Sequence, residues 1–262
     1  MRAERALAAR LRAWRSFRDI AHASSSLAAS QAVRWTAHEH AARRHLGLVL
    51  PLASRLLPPP APRDPRPLVL VGFGTDLGLC GRLNHEVAAC LSAALAHTQP
   101  ALLLLVGRRL RDSLGAEHPA LEEPAPASID AAQDLAERAM AEVRRLCGTL
   151  ARVGLARIDE RGHARLWWEE DLAPMLVAPA APAPLLAPPD RAAVVARDLL
   201  LQARLHHSAC AAALAESRLR QELMRRARET ADRRIQEQER QLRRARQERI
   251  TQEMLEVRAA TR

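Results

Sequence analysis

Apolar residues recur at helical spacing near both ends of the chain. Near the N-terminus one face carries Leu7, Leu11, Trp14, Ala21 and Leu27. Towards the C-terminus a narrow stripe carries Leu219, Leu223, Ile235, Leu242, Ile250, Met254 and Val257, with Ala227 and Ala231 filling its gap. Steps of three, four and seven residues are typical of a coiled-coil seam, so the pattern predicts two long helices that pair antiparallel.

The middle of the chain alternates strand and helix patterns. Short apolar runs predict strands at 68–71, 101–106, 151–158 and 164–168. Helical patterns cover 83–96 and 128–146, the second with Ser128 as its N-cap. This alternation predicts a Rossmann-like α/β head with a partly parallel sheet.

Proline and glycine mark the boundaries, since all seventeen prolines and all ten glycines lie between Gly47 and Pro189. The predicted organisation is an N-terminal coiled-coil arm at 1–50, a Pro-rich linker at 51–67, the head at 68–173, an Ala/Pro-rich linker at 174–189 and a C-terminal arm at 190–262. The two arms would bring both chain ends to one tip, with the head at the other end.

Composition removes several function classes. All forty basic residues are arginine, so a P-loop lysine and a Schiff-base lysine are both excluded. The net charge of +10 suits an acidic partner. Two Phe, four Trp and no Tyr offer few platforms for stacking nucleic-acid bases, which favours acidic protein as that partner. Four cysteines without a C-x-x-C pair and the lack of a long apolar run predict a soluble protein of a reducing, cytoplasmic compartment.

The glycine-rich stretch FGTDLGLCGRLN at 73–84 has two chemical interpretations and a structural one. Gly72, Gly74 and Gly78 depart from the dinucleotide fingerprint by one residue, and no acidic residue follows at 91–98 to hold a ribose. Cys80 as a nucleophile has no partner fixed by spacing. The remaining interpretation is a tight turn with positive φ at one or more glycines.

Histidine and acid clusters are weak site candidates. His38 and His40 point about 200° apart on a helix and cannot share an ion, and the adjacent His206 and His207 fail for the same reason. We interpret 38–40 as a solvated surface and the acidic run at 169–171 as a solvated loop. The sequence therefore predicts no catalytic residue, metal or cofactor.

The segment RRARQERITQEMLEV at 243–257 resembles the last helix of the gamma subunit of F-type ATP synthases. The matching residues are Ala245, Arg246, Gln247, Ile250, Thr251, Gln252, Glu253, Met254, Glu256 and Val257. The same family carries a D-x-G-L-C-G-x-L-N turn after its first central strand. Here that turn is formed by Asp76, Gly78, Leu79, Cys80, Gly81, Leu83 and Asn84.

This resemblance implies a rotor shaft that is not itself an enzyme. Such a shaft stands inside the alpha and beta hexamer, contacts the epsilon subunit and the membrane c-ring, and couples ion-driven rotation to the catalytic beta subunits. It implies that Arg246 and Gln247 face loops of beta, that Ile250, Met254 and Val257 form the upper bearing, and that the Cys80 turn is structural with its thiol buried. It also implies a peripheral location at the cytoplasmic face of a bacterial inner membrane, without nucleic acid.

The chain departs from the family pattern in three places. The stretch at 18–30 keeps only Ile20 and the Ala28-Ala29-Ser30 end of the family's usual basic, Met-containing segment. Residues 257–262 replace the family's apolar C-terminal tail. The head is also shorter than is usual in the family. These departures indicate a divergent gamma, as from an alternative ATP synthase. A non-rotary coiled-coil adaptor and an Arg-rich nucleic-acid-binding protein remain as alternatives.

Overall fold

The computed structural model describes residues 2–57, 66–147, 151–168 and 188–260. Over these residues five helices and five strands follow in the order α1 (Arg2–Leu56), β1 (Leu68–Phe73), α2 (Leu83–Leu95), β2 (Leu102–Val106), α3 (Arg108–Leu114), β3 (Leu121–Glu123), α4 (Ile129–Cys147), β4 (Arg152–Ile158), β5 (Ala164–Trp167) and α5 (Pro189–Ala260). The chain divides into a helix-pair unit, Met1–Ala29 with Arg220–Arg262, and a head unit, Ser30–Leu219.

The helix-pair unit joins the start of α1 to the end of α5 in antiparallel orientation. Leu11, Ile235 and Leu242 form its buried apolar contact, with Leu7 and Trp14 packed against them. Further along the pair the contact is made by small side chains, because Ala21, Ala28 and Ala231 are almost fully buried. Small residues let two helix backbones approach closely, which explains why this stretch needs no large apolar residue.

Four seam positions predicted from the sequence are wrong, because Leu27, Ile250, Met254 and Val257 are exposed. Leu27 is 59% exposed, and its neighbour Ala28 is fully buried. The reason is the repeat itself, since a seven-residue step from Ala21 reaches position 28 and not 27. Leu27 was predicted to lie on the seam because its side chain is larger and more apolar than that of Ala28. The helical spacing, and not side-chain size, decides which residue faces the partner helix.

The head unit contains one mixed five-stranded sheet in the order β3-β2-β1-β4-β5. The first four strands run parallel and β5 pairs antiparallel with β4. The chain leaves the central strand β1 towards β2 on one side and returns to β4 on the other. In sheets of this kind the crevice at the carboxyl end of the central strands is where the strand order reverses, and the turn after β1 lies there.

Both faces of the sheet are covered, which explains the continuous apolar runs of its central strands. Alternate residues such as Val69, Val71 and Phe73 face a core built from α1, α4 and α5. The residues between them, such as Leu70 and Leu105, face α2 and α3. The structure thus confirms long terminal helices that pack together and an α/β head with a largely parallel sheet.

Helix α1 is longer than the pattern predicts, because it continues through Pro51 to Leu56. An internal proline costs a helix roughly 3 kcal/mol. Burial offsets that cost, since Val49, Leu50 and Ala53 on this last stretch pack with Leu200 and Ala203 of α5. Residues 58–65 of the first predicted linker, the acidic run at 169–171 and most of the second linker lie outside the described residues.

Candidate functional site

The C-terminal segment, residues 243–257, lies entirely on α5 within the helix-pair unit. Its apolar members are exposed, with Ile250 at 50%, Met254 at 70% and Val257 at 66%. A helix that leaves aliphatic side chains in water over two turns gains nothing from them within its own fold. The described part of the chain therefore provides an apolar surface that a partner could cover.

The pairing of α1 with α5 ends within this segment. Glu4 accepts a hydrogen bond from Arg246 Nε at 3.0 Å and another from Arg249 Nη1 at 2.6 Å. Glu4 is in the first turn of α1, which begins at Arg2. From Ile250 to Ala260 every residue of α5 is exposed.

Three further polar residues of the segment, Thr251, Gln252 and Glu253, contact residues of the same helix. Thr251 donates its hydroxyl to the Gln247 carbonyl at 2.9 Å, and the Gln252 amide donates to Glu256 at 3.2 Å. Glu253 lies 3.4 Å from Arg249. These contacts stiffen the helix surface and hold the charged groups along it without burying them.

The second candidate, the β1–α2 turn at residues 74–84, lies in the head unit at the carboxyl end of the central strand. Asp76 ties this turn to two neighbouring loops, because its carboxylate accepts the backbone N–H of Arg108 at 2.9 Å and that of Ala125 at 3.1 Å. Arg108 is the first residue of α3, so its N–H has no acceptor within that helix. Asp76 accepts this N–H and thereby also caps α3. Asp76 therefore fixes the turn in place.

Asn84 bonds to Thr75 beside the glycines of the turn. Its amide Oδ1 accepts the Thr75 N–H at 3.0 Å, and its Nδ2 donates to Thr75 Oγ1 at 3.0 Å. A Cβ built at Gly74 would meet Asn84 Oδ1 at 2.5 Å, so glycine is required for this close approach. The Asn84 side chain thus bonds the Thr75 N–H and hydroxyl that a ligand would otherwise meet at this turn, which argues against a dinucleotide site.

Two residues of the turn have left-handed backbone, Gly81 with φ of 62° and Leu79 with φ of 66°. Glycine adopts this conformation without strain, whereas a leucine there is uncommon. Leu79 and Leu77 are also 58% and 59% exposed. Cys80 between them is 4% exposed, and its thiol lies 3.4 Å from the Gly78 carbonyl oxygen.

Sequence reasoning missed a buried charged group on α1. Glu39, interpreted as part of a solvated surface, is only 3% exposed. Its carboxylate lies 3.0 Å from His207 Nε2 and accepts a hydrogen bond from Arg43 Nε at 2.8 Å, and Arg43 also bonds Glu160 in the β4–β5 turn. The signal was present in the spacing, because position 39 lies one helical turn after the buried Trp35 and three residues before the buried Ala42.

The pKa values agree on one protonation state for this pair. Burial alone would raise the pKa of Glu39, but the hydrogen bonds from His207 and Arg43 outweigh it and lower the value. Burial lowers the pKa of His207 despite its carboxylate partner. A neutral imidazole that donates Nε2–H to a carboxylate satisfies both shifts.

Within the described ranges no group of three or more His, Cys, Asp or Glu side chains is arranged to hold a metal ion. No described helix combines the length and apolar character needed to cross a membrane.

Known structures share this fold although no sequence relative was found. No protein-family model and no curated protein matches the chain. A chain from the central stalk and c-ring structure of the Tetrahymena thermophila mitochondrial ATP synthase is 16% identical, with a TM-score of 0.57 over 79% of this chain and 99% of that one. At this identity the likeness concerns the fold.

Two structures of the Euglena gracilis mitochondrial ATP synthase cover more of the chain. A chain of its rotor in rotational state 1 is 12% identical, with a TM-score of 0.65 over 95% of this chain and 99% of that one. A chain of its OSCP/F1/c-ring structure in rotational state 3 is 13% identical, with a TM-score of 0.67 over 99% of this chain and 93% of that one. The protein thus has the fold of chains from the central stalk and rotor of these ATP synthases.

Proposed function

We propose that this chain is the central shaft of an F-type ATP synthase rotor, a gamma-type subunit without catalytic activity of its own. It would couple ion-driven rotation of a membrane c-ring to conformational change at the catalytic beta subunits. The observation that carries this proposal is the exposed end of α5. Its apolar and arginine residues are those of the gamma-like segment, on a fold that matches ATP synthase rotor chains along most of its length.

The physical properties of the helix-pair unit suit a shaft. A rotating shaft must resist bending, and within 190–262 no proline or glycine interrupts α5. It must also contact chemically identical subunits in turn without locking onto one of them. Exposed charged contacts give direction and register with little net affinity, and the arginine surface of α5 supplies them.

The residues proposed to contact the alpha and beta hexamer fall into a polar group and an apolar group. Arg246 presents a planar guanidinium that can grip a partner carboxylate with two bonds, with Gln247 beside it. Ile250, Met254 and Val257 would form the apolar bearing. Thr251, Gln252 and Glu253 complete the same interface, while the Cys80 turn is proposed to be structural.

The test is assembly and turnover with neighbouring subunits. Co-expression with the alpha and beta subunits encoded beside it should give a complex that contains one copy of this chain and hydrolyses ATP. Arg246→Glu should lower steady turnover at least about tenfold, because one charge-assisted bidentate contact becomes a repulsion. Arg44→Glu reverses an exposed arginine outside the segment and should leave turnover within about twofold.

Two results would contradict the proposal. The chain could elute alone and leave the ATPase unchanged, which would favour a coiled-coil adaptor. It could instead bind RNA with an affinity that falls steeply as the salt concentration rises, while failing to assemble with alpha and beta. That result would favour the hypothesis of an Arg-rich nucleic-acid-binding protein. Equal effects of the two charge reversals would remove the special role of Arg246.

A further inference from the structure

The head unit contains a cleft that the rotor proposal does not use. It has a volume of about 350 Å³ and is bounded by α1, α5 and the turn between β4 and β5. We call it the head cleft. Its polar lining is formed by Glu39, His40, Arg43, Arg157, Asp159, Glu160, Arg161 and Arg218. A volume of this size is at the lower end of the range for small-molecule sites.

Arg157 stands at the base of the head cleft with an unused donor. Its guanidinium stacks on Trp167 at 4.1 Å from the ring centre, and Nη1 donates to the Ile158 carbonyl at 3.1 Å. Its Nε is buried and has no acceptor among the described residues. Burial lowers the pKa of Arg157 to about 10, so the group stays charged at neutral pH. A buried cationic N–H without an acceptor is costly, and a bound anion would remove that cost.

The acidic residues of the cleft are already committed. Glu39 and Glu160 both accept hydrogen bonds from Arg43. Asp159 accepts the backbone N–H groups of Arg161 and His163, each at 2.9 Å. These carboxylates also attract Arg157 electrostatically, so they balance part of the positive charge of the cleft. The exposed guanidinium groups of Arg161 and Arg218 have no hydrogen-bonded acid among the described residues.

Two further arginines at the rim have uncommitted side chains. Arg161 and Arg218 are exposed, and neither guanidinium has an ion pair or hydrogen bond with any described residue. Arg161 belongs to the β4–β5 turn and Arg218 to α5, so they flank the opening from two sides. One buried and two exposed guanidinium groups around a single cleft form an arrangement suited to a multiply charged anion.

We propose that the head cleft binds a small molecule through an oxyanion group, a phosphate or a carboxylate, held by Arg157 at the base and by Arg161 and Arg218 at the rim. The occupant would join the β4–β5 turn to α1 and α5 and so stabilise the head unit. No residue that lines the head cleft belongs to the C-terminal segment, and the inference does not depend on the rotor proposal.

The test uses the purified full-length chain with inorganic phosphate and with malonate, each compared with chloride at equal ionic strength. Titration calorimetry should show saturable binding of at least one oxyanion, with a rise in unfolding temperature that grows with its concentration. Arg161→Ala and Arg218→Ala should each weaken binding about three- to tenfold, and Arg157→Lys should weaken it most. Arg44→Ala removes an exposed arginine of α1 outside the cleft and should bind like the parent protein.

Comparison of phosphate with malonate shows whether the cleft prefers a phosphate or a carboxylate. Saturable binding of either anion supports the proposed site. The proposal fails if neither anion binds saturably beyond the chloride control. It also fails if the two rim variants bind as tightly as the parent protein. Should Arg157→Lys not fold, the two exposed rim variants decide the question alone.

Discussion

Arg246 and Glu4, 242 positions apart in the sequence, are joined by a hydrogen bond of 3.0 Å from Nε to Oε1. The other oxygen of the same carboxylate accepts a bond of 2.6 Å from Arg249. One acidic residue in the first turn of α1 thus holds two arginines of the C-terminal segment. A partner carboxylate that approaches Arg246 must compete with Glu4 or share the guanidinium with it.

Glu4→Gln should loosen the end of the helix pair without unfolding it. The two arginines are exposed and Glu4 is 20% exposed, and glutamine keeps one acceptor oxygen. We therefore expect the global free energy of unfolding to fall by about 1 kcal/mol. Backbone amide exchange over 246–257 should rise several-fold, because the last turns of α5 lose their link to α1. Hydrogen–deuterium exchange with mass spectrometry measures both ends of the pair.

The matched control for this variant is Asp19→Asn, whose carboxylate pairs with the adjacent Arg18 on the same helix. It removes one exposed acidic charge from α1 and leaves the link between helices intact. Exchange over 246–257 should match the parent protein. Equal exchange in both variants would mean that Glu4 does not hold the segment.

Gly81→Ala should destabilise the head unit, because φ of 62° forces an L-residue into the left-handed region. The expected loss is about 1 kcal/mol, read from the midpoint of urea unfolding at unchanged m-value. Gly78→Ala in the same turn is the control. A Cβ there would meet no atom within 4 Å, and Gly78 is not among the residues with positive φ. Equal losses at both positions would contradict a conformational role for Gly81.

Much of the architecture follows from local patterns. The central strands, α2, α4 and the long helices carry strong periodic signals, and Ser128 caps α4 as its type suggests, with Oγ accepting the Ala131 N–H at 3.2 Å. Helix α3 was missed because it has only seven residues and its N-cap, Gly107, has no side chain. Strand β3 was missed because three mostly exposed residues show no alternation.

The candidate sites also differ in whether local sequence patterns could reveal them. The C-terminal segment and the Asp76 turn were found through short sequence motifs that lie on a single element or loop. The Glu39 cluster and the head cleft depend on contacts between α1, α5 and the β4–β5 turn, such as Arg43 with Glu160, 117 positions apart, and Glu39 with His207, 168 positions apart. Neighbouring residues gave a misleading signal there, since two exposed-looking histidines flank a carboxylate that the helix turns towards the core.

The Glu39 and His207 pair predicts a stability that falls in two steps on acidification. The pKa of His207 is lowered from its ordinary 6.5, chiefly by burial, so below about pH 6.5 the unfolded chain binds a proton that the folded chain does not. Burial also lowers the pKa of the neighbouring His206, which contributes in the same range. The pKa of Glu39 lies below its ordinary 4.5, so the stability held by its carboxylate is lost as the pH falls from about 4.5.

His207→Gln separates these contributions, because glutamine can still donate an N–H to Glu39 but does not titrate. Unfolding free energies from urea titrations between pH 7.5 and 4 should show a shallower decline from pH 6.5 to 5 than in the parent protein, where each histidine contributes at most about 1.4 kcal/mol per pH unit. His206→Gln should remove the other part of that decline. Glu39→Gln should cost about 1–3 kcal/mol at pH 7, since the buried His207 and the more exposed Arg43 both lose a charged acceptor. A pH profile for His207→Gln that coincides with the parent protein would mean that the buried imidazole is not the group that titrates in this range.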